Sequence, residues 1–315
     1  MNTKTAIITG ASSGLGLECA RALLRSDPSW HLALPVRDIM RGAEAVTRLG
    51  QPRRCTVMEM DLASLASVGA FVENVRDASL PPLHGIVCNA GVQVVSGTEW
   101  THDGVEMTFG VNHLGHFALV QGLLDMLAHP ARILVVSSGT HDPNKHTGMP
   151  NPEYTSADDL AQPRIEQSAD DGRRRYTTSK LCNLLFTYEL ARRLGQGVTV
   201  NAFDPGLMPG SGLARDYPPL QRLAWRYLVP ALRVLPGVRS TRTSGHYLAA
   251  LTIDAQFDGV SGKYFDGLRP IRSSADSYDR GKALDLWETS ERLLCDLKGV
   301  EHHKQRPEAR GGPSK

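Results

Sequence analysis

Thr9-Gly10-Ala11-Ser12-Ser13-Gly14-Leu15-Gly16 follows the short apolar run Thr5-Ala6-Ile7-Ile8 and leads into a helical pattern over 15–24. A short apolar run bounded by a glycine turn and then a helix reads as a buried strand opening a strand–helix–strand unit. Gly10 lets the backbone leave the strand sharply. Gly14 and Gly16 let a pyrophosphate and the neighbouring strand come close, and the helix beginning nearby directs its free N–H groups and positive dipole end at the phosphates. Any tight strand–helix turn would want some of these glycines, so the turn alone is weak. Its position at the first strand of an alternating pattern gives it weight, and Gly10, Ser12, Ser13, Gly14, Leu15 and Gly16 are taken together as cofactor-contacting residues.

The alternation continues. Residues 31–36 read as a second strand, 55–60 as a third with a helix near 65–75, 85–88 as a fourth, and 105–127 as a long helix. A fifth strand over 132–136, a helix over 176–194, a sixth strand over 198–203 and a seventh over 262–265 follow. Short apolar runs separated by helices indicate a parallel sheet covered on both faces. Right-handed crossovers make it doubly wound, giving an α/β fold of Rossmann type with about seven strands. Ligands bind beyond the carboxyl ends of such strands, where every candidate residue falls. Two segments break the rhythm: 142–175, which is polar and rich in Pro, Asn and Asp, and 207–238, which mixes Pro and Gly with apolar and Arg positions. Loops this long are usually functional, and both are expected to shape the substrate site. Residues 302–315 read as a disordered tail, leaving 1–301 as a single dinucleotide-binding catalytic domain with two insertions.

The 315 residues carry a net charge of +2, with basic residues spread along the whole chain. That distribution excludes a nucleic-acid footprint. Arg173-Arg174-Arg175 stands beside Asp170 and Asp171 and reads as a solvated loop. The five cysteines are widely spaced, without a CxxC pair or a Cys/His cluster, which points to reduced structural thiols in the cytoplasm and to no metal. Met1 leads into the first strand within a few residues, leaving no room for a signal peptide, and no run reaches the roughly 18 apolar residues of a membrane span. The apolar and basic stretch 225–238 reads as a lid or core helix, with a membrane surface or a second subunit as alternatives.

The second strand ends Pro35-Val36-Arg37-Asp38. An acid there would hold a ribose 2′-OH and favour NAD(H). Arg37 is placed instead to meet a 2′-phosphate, which favours NADP(H), against the alternative of an Arg37–Asp38 pair in a surface turn. Asp61-Leu62 follows the third strand and Asn89-Ala90-Gly91 the fourth, where small residues let backbone approach an adenosine; Asp61 would also serve as a helix N-cap. Tyr176 and Lys180 lie four apart on one helix face. A tyrosine titrates at about 10, and a nearby ammonium lowers that value, so Tyr176 could give a proton to a carbonyl and take it back. Ser138 ends the fifth strand and could orient the substrate oxygen. Asn112, in the long helix, could anchor a water leading to Lys180.

In this order, Thr9-Gly10-xxx-Gly14-x-Gly16, Asn89-Ala90-Gly91, Val111-Asn112, Val136-Ser137-Ser138, Tyr176-xxx-Lys180 and Asp204-Pro205-Gly206 resemble the short-chain dehydrogenase/reductase family over roughly residues 4–266. The resemblance implies a catalytic set of Asn112, Ser138, Tyr176 and Lys180, with Ser137 as the fallback serine. It also implies that Tyr176, Lys180, Pro205 and Gly206 contact the cofactor, Lys180 through the nicotinamide ribose. Val111-Asn112-His113-Leu114-Gly115-His116-Phe117, Arg37-Asp38 and Leu286-Trp287-Glu288 resemble the retinol dehydrogenase and protochlorophyllide reductase branch, which generally uses NADP(H). Ser179-Lys180-Leu181-Cys182-Asn183 and the long segment between Ser138 and Tyr176 are nearest the protochlorophyllide reductases. Those enzymes carry a functional cysteine after the Pro-Gly pair; Leu207 stands there in this chain and has no proton to give. The expectation is therefore NADP(H)-dependent interconversion of a carbonyl and an alcohol on a small apolar substrate. Reduction of a C=C bond is the alternative, and a cofactor-binding sensor without turnover ranks third. The family also implies a homo-oligomer, with the helix over 176–194 as a usual interface.

Overall fold

Fully buried Ala6, Ile7 and Ile8 place β1 (Lys4–Ile8) in the middle of a sheet. The computed structural model describes residues 3–163, 168–208 and 238–304, the side chains of 297–304 excepted. The other strands are β2 (Trp30–Val36), β3 (Cys55–Glu59), β4 (Leu83–Cys88), β5 (Leu127–Val136), β6 (Val198–Asp204), β7 (Tyr264–Asp266) and β8 (Arg269–Ile271). They form one eight-stranded sheet of order β3-β2-β1-β4-β5-β6-β7-β8. Every pairing is parallel except β7 with β8. The reversal of strand order between β1 and β4 opens the crevice in which doubly wound sheets take ligands.

Side chains alternate across the sheet, and both faces are apolar. Ile7, Ile86, Ile133 and Val200 pack on one side with Phe71, Phe117 and Phe186; Ile8, Val87, Leu134 and Phe203 pack on the other with Leu23 and Leu248. The first layer holds α3 (Leu65–Asp77), α5 (Gly115–Leu123) and α7 (Ala169–Arg193). The second holds α1 (Gly14–Ser26) and α8 (Thr241–Ile253). Shorter or flanking helices are α2 (Ile39–Leu49), α4 (Met107–Phe109), α6 (Ala157–Ala161) and the C-terminal α9 (Arg280–Lys304).

The strands fall where the apolar runs predict them, with one addition. β8 was not expected: a three-residue strand containing Pro270 gives no alternation, and proline is admitted only at a sheet edge. The expected long helix over 105–127 is helical from Met107 to Met126 but changes pitch. A π-helical turn at Gly110–Leu114, in which Gly115 N–H reaches back to Gly110 O, joins α4 to α5. The segment 142–175 is not all loop. It contains α6 and the first turns of α7, started by a capping box in which Ser168 and Asp171 exchange side-chain and backbone hydrogen bonds.

Arg173, Arg174 and Arg175 therefore stand on a helix, which corrects their reading as a solvated loop. The Arg175 side chain is only 10% exposed and lies 3.3 Å from buried Glu106. Of the second insertion, 209–237 lies outside the described residues. Its flanks are clasped, Leu207 pairing with Val238 while Arg239 N–H donates to Leu207 O at 2.9 Å. The tail at 305–315 also lies outside the described residues, and the proposed lid, membrane or subunit role of 225–238 falls almost wholly outside them. Among the described residues no helix is long and apolar enough to cross a membrane.

The helix expected to meet a second copy is already covered within the chain. From Tyr176 to Leu190 every α7 residue is buried. α9 contributes Trp287, stacked on Phe186 at 6.1 Å and edge-on to Phe117 at 5.0 Å, and Ser290, 2.9 Å from His113 Nε2. Trp287→Ala should lower the unfolding free energy by about 3–5 kcal/mol, the usual cost of truncating a buried large aromatic, with urea denaturation as the measurement.

Candidate active site

Gly10 (φ +67°) and Gly14 (φ +57°) take the left-handed backbone that only glycine adopts without strain. A Cβ on Gly16 would lie 2.6 Å from both Asn89 Nδ2 and Gly10 O, so the turn, the helix start and the β4 loop close on one another there. A Cβ on Gly14 would meet nothing within 4 Å: that side of the turn is open. Ser13 sits at the N-cap of α1 and makes no side-chain cap bond, so its exposed hydroxyl and the N-terminal amides face the opening. A hydroxyl, free amides and an open glycine face at a helix start are the chemistry a phosphate needs.

Thr9, at the head of this turn, holds the loop after β4. Its Oγ1 accepts from Asn89 N–H and Ala90 N–H, both at 2.9 Å, while Asn89 Nδ2 returns a bond to Thr9 O at 2.8 Å. Ser12 is half-buried in the turn and Leu15 buried at the start of α1. Beyond β2, Arg37 is exposed. The surface-turn alternative for it does not hold: Asp38 caps α2 through Met40 N–H (3.0 Å) and Arg41 N–H (3.2 Å), and its ion pair is with Arg41. Asp61 likewise does not cap α3, whose N-cap is Ser64; its Oδ1 accepts from Ala63 N–H at 3.0 Å. Leu62 O lies 2.6 Å from where a Cβ on Gly115 would be, so the third-strand loop and α5 touch only because that residue is glycine.

Ser137 and Ser138 follow the carboxyl end of β5, where α7 is attached. Ser137 Oγ donates to Lys180 O at 2.7 Å, tying the strand end to α7. That bond occupies Ser137; Ser138 is half-buried, and its Oγ accepts from Thr140 N–H at 3.3 Å. Val136 O accepts from both Lys180 Nζ (3.3 Å) and Asn183 Nδ2 (2.9 Å). Lys180 Nζ stands 5.4 Å from the Tyr176 ring centre, with Tyr176 itself 7% exposed. Burial disfavours the ammonium and pushes Lys180 down to about 8. A Cβ on Gly91 would lie 3.6 Å from Lys180 Nζ and 3.2 Å from Asn112 Oδ1, so the β4 loop, the lysine and the asparagine share one small space.

Asn112 is fully buried in the π-turn. Its Oδ1 accepts from Val92 N–H (2.7 Å) and its Nδ2 donates to Val92 O (2.9 Å) and Ser179 Oγ (2.9 Å). Both amide hydrogens are thus taken, and a water toward Lys180 has only the second lone pair of Oδ1 to use. Pro205 and Gly206 follow β6, where Gly206 (φ +75°) donates its N–H to Asp204 Oδ1 at 2.9 Å and Ser244 Oγ donates to Pro205 O at 2.6 Å. Thr9 in its bonding role, His116, Ser179 and Asn183 belong to the same hydrogen-bonded frame; they stood in the motif stretches without an assigned role, because a sequence carries no signal for the partner of a buried polar group. Among the described residues no group of His, Cys, Asp and Glu could hold a metal ion.

Lys180 binds fewer protons folded than unfolded between its lowered value of about 8 and its ordinary value of 10.5. Stability must therefore rise with pH across that window, since the unfolded chain binds more protons there. Urea unfolding from about pH 8 to pH 10 should show wild type gaining on Lys180→Met; parallel curves would mean an unshifted lysine.

The family described as short chain dehydrogenase matches residues 4–154. Protochlorophyllide reductase B of Hordeum vulgare is 37% identical over 93% of this chain and 79% of its own. Among solved structures, an uncharacterised protein from Mycobacterium paratuberculosis superposes with a TM-score of 0.69 at 28% identity, covering 93% of this chain and 94% of that one. A blue fluorescent protein from a metagenomic library, solved with NADPH, superposes with a TM-score of 0.60 at 24% identity over 84% of this chain and 97% of that one. Fold, motif geometry and relatives agree: the chain belongs to the short-chain dehydrogenase/reductase family and is an oxidoreductase.

Proposed function

We propose that the chain is an NADP(H)-dependent enzyme interconverting a carbonyl and an alcohol on an apolar substrate, within a catalytic unit spanning 1–301. The observation that carries the reading is the pinning of α7 to the end of β5, where Ser137 Oγ donates to Lys180 O and Val136 O accepts from Lys180 Nζ and Asn183 Nδ2, with Tyr176 one turn earlier on the same helix. The open face at Gly14, the uncapped Ser13 and the exposed Arg37 fit a dinucleotide bearing a 2′-phosphate. The NADPH in the metagenomic neighbour is in keeping with this.

When bound, the nicotinamide supplies or accepts the hydride. Gly10, Ser12, Ser13, Gly14, Leu15 and Gly16 would hold its pyrophosphate. Asp61, Leu62, Asn89, Ala90 and Gly91 would flank the adenosine side, and Lys180, Tyr176, Pro205 and Gly206 the nicotinamide side. Tyr176 gives a proton to the substrate oxygen in reduction and takes it back in oxidation, the Lys180 ammonium favouring the phenolate left behind. The Ser138 hydroxyl donates to the same oxygen and fixes its position. The free thiols of all five cysteines suit a reducing compartment such as the cytoplasm.

The likeness to protochlorophyllide reductase favours a second reading, reduction of a carbon–carbon double bond. Leu207 opposes it: 42% exposed after Pro205 and Gly206, it offers a hydrocarbon where a proton donor would be needed.

NADPH oxidation with a panel of apolar ketones and aldehydes decides between them. Tyr176→Phe should lower kcat by about 10²–10⁴-fold, the usual contribution of a general acid, with NADPH affinity kept. Turnover unchanged in that variant would reject the proton role of Tyr176. Arg37→Ala should weaken NADPH by about 10–100-fold, the range for losing a charge-assisted bond, and leave NADH unchanged. Equal effects on both nucleotides would remove the 2′-phosphate assignment.

A further inference from the structure

A run of hydrogen bonds leads from the glycine turn to the backbone of Tyr176, and the direction of each is fixed by chemistry. Thr9 Oγ1 accepts from Asn89 N–H and Ala90 N–H. Both lone pairs are then filled, and its proton must be given away. The nearest acceptor is His116 Nε2 at 2.9 Å; Val87 O is farther, at 3.3 Å. On the other side of the ring, His116 Nδ1 lies 3.2 Å from Asn112 O, a carbonyl that can only accept. The imidazole therefore carries its proton on Nδ1 and accepts at Nε2. Full burial keeps it neutral, pushing its value down to about 4. Asn112 Nδ2 then donates to Ser179 Oγ at 2.9 Å, and Ser179 Oγ donates to Tyr176 O at 2.7 Å.

We infer that His116 is a positioning residue that couples the cofactor turn to the catalytic helix. It braces Thr9 from the helix layer and holds the π-turn in the register that aims the Asn112 amide at Ser179, one turn from Tyr176. His116 is buried behind Thr9 and Asn112 and acts through them. A core histidine with a purely packing role would need neither of its two polar contacts, since an apolar ring of similar size would fill the space without leaving donors to satisfy. Here each ring nitrogen meets a group whose geometry serves a different half of the site. Order gained at the turn on nucleotide binding thereby reaches Tyr176 through a contiguous set of buried bonds.

The inference rests on the proposed use of NADP(H), and two readouts separate the two. NADPH affinity is measured by fluorescence titration in wild type, His116→Phe, Ser179→Ala and the double variant. His116→Phe should weaken NADPH by about 2–30-fold, the range of coupling energies along such networks, and Ser179→Ala by less. The double variant should lose less than the product of the two. Losses that multiply independently, or His116→Phe binding like wild type, would overturn the coupling. The second readout needs only the wild-type protein: nitrogen NMR of the imidazole should show the Nδ1–H tautomer from about pH 6 to pH 9, since the ring stays neutral above its lowered value. The Nε2–H tautomer would reverse the bond to Thr9 and overturn the inference even if His116→Phe failed to fold. Wild type that binds no NADPH would reject the cofactor reading, and with it the coupling to nucleotide, while the tautomer in the same sample still decides whether His116 bridges Thr9 and Asn112.

Discussion

The close approach of the carboxyl ends of β1 and β4 is the constraint on which the site depends. Gly16 has no room for a Cβ because Asn89 Nδ2 and Gly10 O already occupy that space, and Thr9 holds the two backbone amides of the β4 loop. Buried amides without partners would each cost about 1–3 kcal/mol, so the loop takes the shape that Thr9 allows. Everything farther along follows from that shape: Val92 meets Asn112, Gly91 leaves space beside Lys180, and the glycine turn presents its open side outward.

Much of this was legible in the sequence. Apolar runs such as 6–8 and 133–136 locate the strands because a strand buried on both faces has few polar positions to confuse the pattern. Tyr176 and Lys180 share a face because helical spacing requires it. What the sequence left open depended on tertiary partners. Ser137 and Ser138 are equivalent as letters, and only the bond from Ser137 to Lys180 O separates them. Arg175 looked solvated among two other arginines, yet its side chain is only 10% exposed because Ser168 and Asp171 start α7 before it. That start had a visible signal, a serine followed three residues later by an acid. The π-turn at Asn112 had none, since its pattern of apolar residues is that of an ordinary helix.

α9 adds a constraint of another kind. By laying Trp287 against Phe117 and Phe186 and Ser290 against His113, it encloses the helix that carries Tyr176. The burial of that helix from Tyr176 to Leu190 is then already complete within one chain. A buried lysine whose ammonium is disfavoured needs such an enclosure, because water reaching Nζ would restore its ordinary proton affinity.

The clasp between Leu207 and Arg239 has an evolutionary meaning. A chain segment whose two ends are already held side by side can change length at little entropic cost, since closing a loop depends only weakly on how long it is. Selection can thus rewrite what lies between these two residues, lengthening it, shortening it or exchanging it for another, while the strands and the hydrogen-bonded frame behind them stay as they are. In that sense the clasp is a socket: one frame of sheet and helices to which insertions of different length can be fitted.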